Sequence, residues 1–119
     1  MRLWHVDMIK SLPRQQLLGQ HREATALRGK GWGKPHSVVN YVFTYNLAKL
    51  YHYHTKIMVE MERRGYKVSP EWKDYNYRGK LLGYQKVEVK AQDLTDYVEH
   101  DRNYYRECVD NLRTKGIII

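Results

Sequence analysis

The sequence predicts an all-α protein: a single compact domain of three main helices with long connecting loops and an N-terminal arm packed across the core. Three segments repeat apolar residues at the spacing of one helix face, whereas the only run with strand character is the short Val87-Glu88-Val89. Size agrees: 119 residues without an internal repeat, low-complexity tract or Pro/Ser-rich linker fit one domain, 1–119, with one core.

The first helix is expected from about Arg14 to Arg28, with Pro13 suited to its first turn because proline there gives up no needed N–H. Leu17, His21, Ala24 and Arg28 share one face, with Leu18 and Thr25 beside it. Gln15, Gly19, Arg22 and Ala26 form a second stripe, and Gln16, Gln20 and Glu23 lie next to that. Gly19 and Ala26 flank Arg22 with almost no bulk, so either a ligand backbone or a second helix can come close there.

A short helical or extended piece, Val38 to Phe43, precedes the second helix, expected from about Leu47 to Arg64. Asn46 is its N-cap and Gly65 its C′ residue. Leu47, Leu50, Tyr51, His54, Ile57, Met58 and Met61 make a core stripe, while Lys49, Lys56, Glu60, Arg63 and Arg64 cover the outer side. The third helix is expected from about Leu94 to Lys115, ending at Gly116. Its buried face is Leu94, Tyr97, Val98, Tyr104, Tyr105, Cys108 and Leu112, with Asp101 the one polar interruption. Between the second and third helices, Tyr66 to Ala91 is rich in Tyr, Lys and Arg, and a loop of that length in a small domain is usually functional.

The formal net charge of +8 and a pI of about 9.6 point to a polyanionic partner, nucleic acid above all. Cys108 is the only cysteine, which excludes an intrachain disulfide and fits a reducing compartment; it falls on an apolar face and reads as core. No stretch approaches the roughly twenty apolar residues of a membrane span. His5 and Asp7 break the apolar run at the start, so no signal peptide is expected and the protein reads as a cytoplasmic monomer. His52 and His54 project to opposite sides of a helix and do not chelate one ion. No metal and no cofactor are expected.

Arg28-Gly29-Lys30-Gly31-Trp32-Gly33-Lys34-Pro35-His36 is basic, glycine-rich and centred on tryptophan. It has neither the spacing of a Walker loop nor the preceding strand of a Rossmann turn. Arg28, Lys30 and Lys34 suit phosphates and Trp32 suits stacking on an unpaired base. The alternative is a helix-to-helix connector with Trp32 in the core. Tyr75-Asn76-Tyr77-Arg78-Gly79-Lys80 allows both readings equally.

The run Leu17-Leu18-Gly19-Gln20-His21-Arg22-Glu23, taken with Gln15 and its distance from the start of the chain, resembles the first helix of the pyrimidine-dimer DNA glycosylase family, the phage endonuclease V type. Arg63-Arg64-Gly65-Tyr66 also repeats a unit of that family, whereas its aromatic, basic C-terminal tail is not recognisable. The resemblance implies a DNA repair glycosylase that excises damaged pyrimidines from double-stranded DNA, with or without AP-lyase nicking. It implies that the terminal amine, here that of Met1, attacks the sugar C1′ and forms a Schiff base, helped by the depression of its pKa beside Arg2 and Arg22. Glu23 would stabilise the developing positive charge and shuttle protons, and Arg22 would hold a flanking phosphate or the damaged base. Arg2, Gln15, Gln16, Arg28, Lys30, Trp32 and Lys34 follow as DNA contacts.

The chain departs from the family pattern at three positions. Arg2 replaces the small residue that lets Met1 be cleaved to expose a threonine amine. Ala26 stands where a second arginine is usual, and Gln16 where histidine is usual. Arg2 and Ala26 fit a second reading, a DNA- or RNA-binding module on the same scaffold that has lost the nucleophile; Glu23 argues against it, because a pure binder has little use for an anion facing phosphates. An RNA-directed enzyme is a third reading.

Overall fold

The computed structural model describes residues 2–34 and 39–119. It is all-α, as the periodicity requires: helix α1 spans Arg14–Arg28, α2 Leu47–Arg63 and α3 Arg102–Thr114. Short 3-10 helices lie at Val6–Ser11, Asn40–Thr44, Pro70–Lys73 and Ala91–Leu94. Asn40–Thr44 is the short piece expected before the second helix; Val38, its expected start, lies outside the described residues.

Helix α2 is the central element. Leu47, Leu50, Tyr51, Ile57, Met58 and Met61 are buried as the stripe predicts, and Ala48 and Tyr53 join them. Helix α1 packs on α2 through Leu17, Ala24 and Leu27, and α3 closes the core with Cys108 and Leu112. Gly65 ends α2 with φ +85, a left-handed conformation that only glycine adopts without strain. Two residues assigned to the outer side of α2 are buried. Lys49 turns its ammonium onto the carbonyl oxygens of Gln92 (3.2 Å) and Thr95 (2.9 Å), and Glu60 is held by Arg63 and Arg64. Hydrogen bonding from Arg63 and Arg64 outweighs the burial and lowers the Glu60 carboxyl to about 2.

The N-terminal arm has no regular structure over residues 2–5, yet Leu3, Trp4 and His5 are buried. Its backbone groups find side-chain partners on all three helices. The Gln20 amide of α1 accepts from the Trp4 N–H (2.6 Å) and donates to the Arg2 carbonyl oxygen (3.1 Å). The Tyr53 hydroxyl of α2 donates to the Trp4 carbonyl oxygen (2.7 Å) and lies 3.0 Å from the Gln20 Oε1. The Tyr104 hydroxyl of α3 donates to the Leu3 carbonyl oxygen. Buried backbone polar groups need such partners.

Helix α3 begins at Arg102, eight residues after the expected Leu94. Asp101, read as a polar interruption of a buried face, is its N-cap, accepting the Tyr104 N–H at 2.8 Å. Leu94 and Val98 are consequently exposed, at 48% and 81%, while Tyr97 is buried. Asn46 holds the N-cap position of α2 without capping it; its amide donates to the Glu88 carbonyl oxygen and to Asp93 Oδ2, fastening the chain before α3 onto α2.

The segment from Tyr66 to Ala91 is irregular apart from the short helix Pro70–Lys73 and the start of Ala91–Leu94, with Val87-Glu88-Val89 outside any strand. Tyr77 and Tyr84 form a single antiparallel bridge that closes a tight turn. Arg28, in the last turn of α1 and fully buried, binds the base of this segment. Its guanidinium donates to the carbonyl oxygens of Trp72 (2.7 Å), Asp74 (2.8 Å) and Tyr77 (2.8 Å) and lies 3.7 Å from the Tyr51 ring centroid. Arg28 Nη1 also donates to His54 Nδ1 (3.1 Å), which leaves the His54 Nε2–H to donate to His21 Nδ1 (2.8 Å).

Two buried histidines are therefore held neutral. Burial, then Arg28 and His21, push His54 well below its ordinary range. His100, which accepts the Val6 N–H at 3.1 Å and meets the Tyr41 hydroxyl at 2.7 Å, is lowered by burial and by His5 to about 3. Both bind protons more weakly folded than unfolded, so unfolding takes up protons below the ordinary histidine value. Their contribution is complete above about pH 6.5 and is lost as pH falls toward the folded values. Melting temperature should fall steadily between pH 6.5 and pH 4, and less steeply in His100→Gln; an unchanged slope would refute the assignment for His100. Gln20→Ala, which strands the Trp4 N–H and the Arg2 carbonyl, should cost about 2–4 kcal/mol in urea unfolding and raise amide exchange at Trp4.

Candidate active site

An open cavity of about 390 Å³ lies where the arm, α1 and the end of α3 meet. Arg2 and Trp4 line it from the arm, Gln15, Gln16, Gly19, Gln20 and Glu23 from α1, and Asn111 and Lys115 from α3. The periodicity of α1 explains the grouping. Residues 16, 19, 20 and 23 recur at spacings of three and four, on one face of the helix. Gln20, buried, uses that face to hold the arm; Glu23, one turn on, is partly exposed to the cavity.

Glu23 has neither a hydrogen bond nor an ion pair among the described residues. Positive groups stand around it instead: Arg2 and Lys115 line the same cavity, and Arg22 adjoins it in sequence, exposed on α1. The Arg22 side chain lies back over Gly19, its Nη2 3.7 Å from where a Cβ at Gly19 would stand, and beyond α1 no other described residue comes within 4 Å of that point. The missing side chain at Gly19 therefore leaves open cavity, and the alternative of a second helix packed there falls away. A carboxylate without a counter-ion among the described residues, in a cavity rimmed by cations, can stabilise a positive charge that develops on a bound group while the cations hold phosphates.

The structure separates the other sequence candidates. Met1 lies outside the described residues, as do Pro35 and His36. Arg2 turns its guanidinium toward α3, 3.3 Å from Glu107 and over the rings of Trp4 (6.0 Å) and Tyr104 (5.7 Å). Its carbonyl oxygen accepts the Gln20 amide N–H on the cavity side of the arm. Gln15 is exposed and Gln16 half-buried, both on the cavity. Lys30 and Lys34 are exposed on the loop after α1.

One expectation is corrected. Arg28, read as a phosphate contact, has no exposed surface, and its guanidinium is committed to three carbonyl groups and His54. Trp32, expected as a stacking residue, is half-buried and packs edge-on against Phe43 with ring centroids 5.0 Å apart. Asn111 and Lys115 were missed. They are four apart at the end of α3, so one helix face presents both, but nothing in the sequence shows that this face meets α1. No cluster of three or more His, Cys, Asp or Glu side chains able to hold a metal occurs among the described residues. None of the helices among them is long and apolar enough to cross a membrane.

Residues 1–74 match the family model described as pyrimidine dimer DNA glycosylase. No curated protein and no solved structure matches the chain. The matched residues include the arm, α1 and α2; the turn at Tyr77 to Tyr84 and the cavity residues of α3 lie beyond them.

The opposite environments of Arg28 and Lys30 make a direct comparison. Arg28→Met should cost about 3–5 kcal/mol of stability because it strands several buried carbonyl groups. Lys30→Ala should stay within about 0.5 kcal/mol, as exposed positions usually do. Equal effects in denaturant melts would contradict the buried assignment.

Proposed function

We propose how this chain, which belongs to the pyrimidine dimer DNA glycosylase family, removes a damaged base: the Met1 α-amine is the nucleophile and Glu23 its catalytic carboxylate. Family membership makes DNA the substrate and base excision the class of reaction. The observation that carries the finer reading is the cavity itself, because it joins Arg2, the residue next to the proposed nucleophile, to a Glu23 that has no partner among the described residues.

The chemistry proceeds as follows. The neutral amine, which an ordinary pKa of about 7.7 to 8.0 leaves as roughly a tenth of the total at pH 7, attacks C1′ of the damaged nucleotide. The C1′–N bond to the base breaks, and the base leaves with the bonding electrons. Glu23 stabilises the positive charge that develops on the sugar and takes a proton from the attacking nitrogen. Returning that proton to O4′ as the C1′–O4′ bond opens gives the Schiff base. Removal of a C2′ proton then expels the 3′ phosphate, which is the AP-lyase nick. Arg22, Lys115 and Asn111 hold the flanking phosphates, and Gln15 and Gln16 line the approach. The flipped nucleotide enters most easily at a lesion, where stacking is already weakened.

A second reading, a DNA- or RNA-binding module without catalysis, draws on Arg2 and Ala26. Arg2 fills the position of a small residue, and its charge is already engaged by Glu107.

One experiment separates the readings. The protein is incubated with duplex DNA carrying a cyclobutane pyrimidine dimer, with borohydride present, and any covalent adduct is mapped by peptide mass. The expected results are cleavage of the C1′–N bond, read as free pyrimidine after photoreversal of the dimer because the cyclobutane ring keeps the cleaved base joined to its neighbour, an adduct at Met1, and at least about a hundred-fold slower cleavage in Glu23→Gln with unchanged binding. An adduct at Lys115 would move the nucleophile to α3. Salt-dependent binding without adduct or release would establish the binding module.

A further inference from the structure

The tight turn between Tyr77 and Tyr84 lies beyond the family match and takes no part in the chemistry above. Its tip is Lys80-Leu81-Leu82, set between Gly79 (φ +95) and Gly83 (φ +63), and backbone bonds Arg78 N–H to Gly83 O (2.9 Å) and Gly83 N–H to Gly79 O (2.7 Å) close it. Leu81 is 78% exposed. A lone exposed leucine is ordinary. This one is distinguished by its mounting, its neighbours and its position.

The mounting is stiff. Arg28 grips the carbonyl groups of Trp72, Asp74 and Tyr77 from inside the core, and Arg78 Nε returns a bond to the Arg28 carbonyl oxygen (2.8 Å). The turn is thus fastened to the same helix that carries Arg22 and Glu23. Tyr77 is buried and packs on Trp72, with ring centroids 4.7 Å apart, which supports the base.

The neighbours are cationic. Lys80 adjoins Leu81, and Lys30 lines the groove of about 370 Å³ that runs between the turn and Thr25 and Ala26 of α1. Val98, as exposed at 81%, has Asp96, Glu99 and Asp101 around it in sequence instead.

The position is collinear with the cavity. Gly19 lines the cavity that holds Glu23, and Ala26, on the same α1 stripe, lines the groove under Leu81. Seven helical residues span about 10 Å, or about three base-pair rises of 3.4 Å.

We propose that the Tyr77–Tyr84 turn is a wedge that inserts Leu81 into a base step of double-stranded DNA, within a few base pairs of the nucleotide at Glu23, and kinks the duplex there. The lysines hold phosphates on either side, and apolar wedges that partly unstack a step are a recurrent means of bending DNA. The inference rests on the preceding reading only in taking duplex DNA as the partner. Kinking supplies part of the unstacking that extrusion of a nucleotide requires.

The test uses the full chain and a lesion-bearing duplex with donor and acceptor dyes at its ends. Bending is read by energy transfer and affinity by anisotropy, in parallel with base release. Wild type should bend the duplex. Leu81→Ala, at an exposed position that leaves the fold intact, should bend it much less and bind about ten-fold more weakly, with affinity restored on a duplex already unstacked by an adjacent mismatch. Leu81→Phe should retain bending. Lys80→Gln should reduce the salt slope, whereas Leu81→Ala should not. Equal bending and binding by wild type and Leu81→Ala would overturn the wedge, and failure of wild type to bind duplex DNA would overturn it too. Bending that depends on Leu81 without base release would keep the wedge and refute the glycosylase mechanism instead.

Discussion

The amide of Gln20 is the contact on which the rest depends. An arm without regular structure has no neighbours to satisfy its own backbone, and burying it without partners would be costly. Gln20 supplies both an acceptor and a donor, so one side chain fixes the Trp4 N–H and the Arg2 carbonyl at once. Tyr53 and Tyr104 complete the set from the other two helices. The arm then becomes a wall of the cavity, and the helix that holds it also presents Glu23 one turn away. The contacts that hold the arm and the chemistry proposed for Glu23 share a helix face.

Arg28 shows the same economy applied to charge. It stands in the last turn of α1, where an exposed cation is the ordinary expectation, and yet it is spent inside the molecule. Its planar guanidinium can serve several carbonyl oxygens and lie on an aromatic face together, which an ammonium group cannot. The result is a long irregular segment tied to α1, with Arg28 itself withdrawn from the positive surface. A count of basic residues therefore overstates what faces a polyanion.

How much was legible follows from which forces are local. Helices α1 and α2 were readable because their apolar repeats and breakers lie within each segment: Pro13 before α1, Gly65 after α2. The start of α3 was not, because Leu94, Tyr97 and Val98 happen to share helical spacing, whereas Asp101 fixes the start by capping. Glu23 was singled out by its resemblance to a family motif, and the structure sets it on the cavity. Its setting was not legible, since Asn111 and Lys115 reach it only through tertiary packing. The fates of Arg28 and Trp32 were equally hidden, as each is decided by partners far along the chain, Trp72 to Tyr77 in one case and Phe43 in the other.

The partners of the arm also bear on how the molecule assembles. The bond from Tyr104 to Leu3 joins residues 101 apart, and that between Val6 and His100 joins residues 94 apart. Nearly the whole chain must be present before these contacts form, and long-range closure of this kind is slow relative to helix formation. During synthesis, α1 and α2 emerge early and can pair, but the arm stays without its α3 partners until the last helix leaves the ribosome. The carboxylate at Glu23 is among the first parts of the site to be made, and the cavity around it is among the last to close.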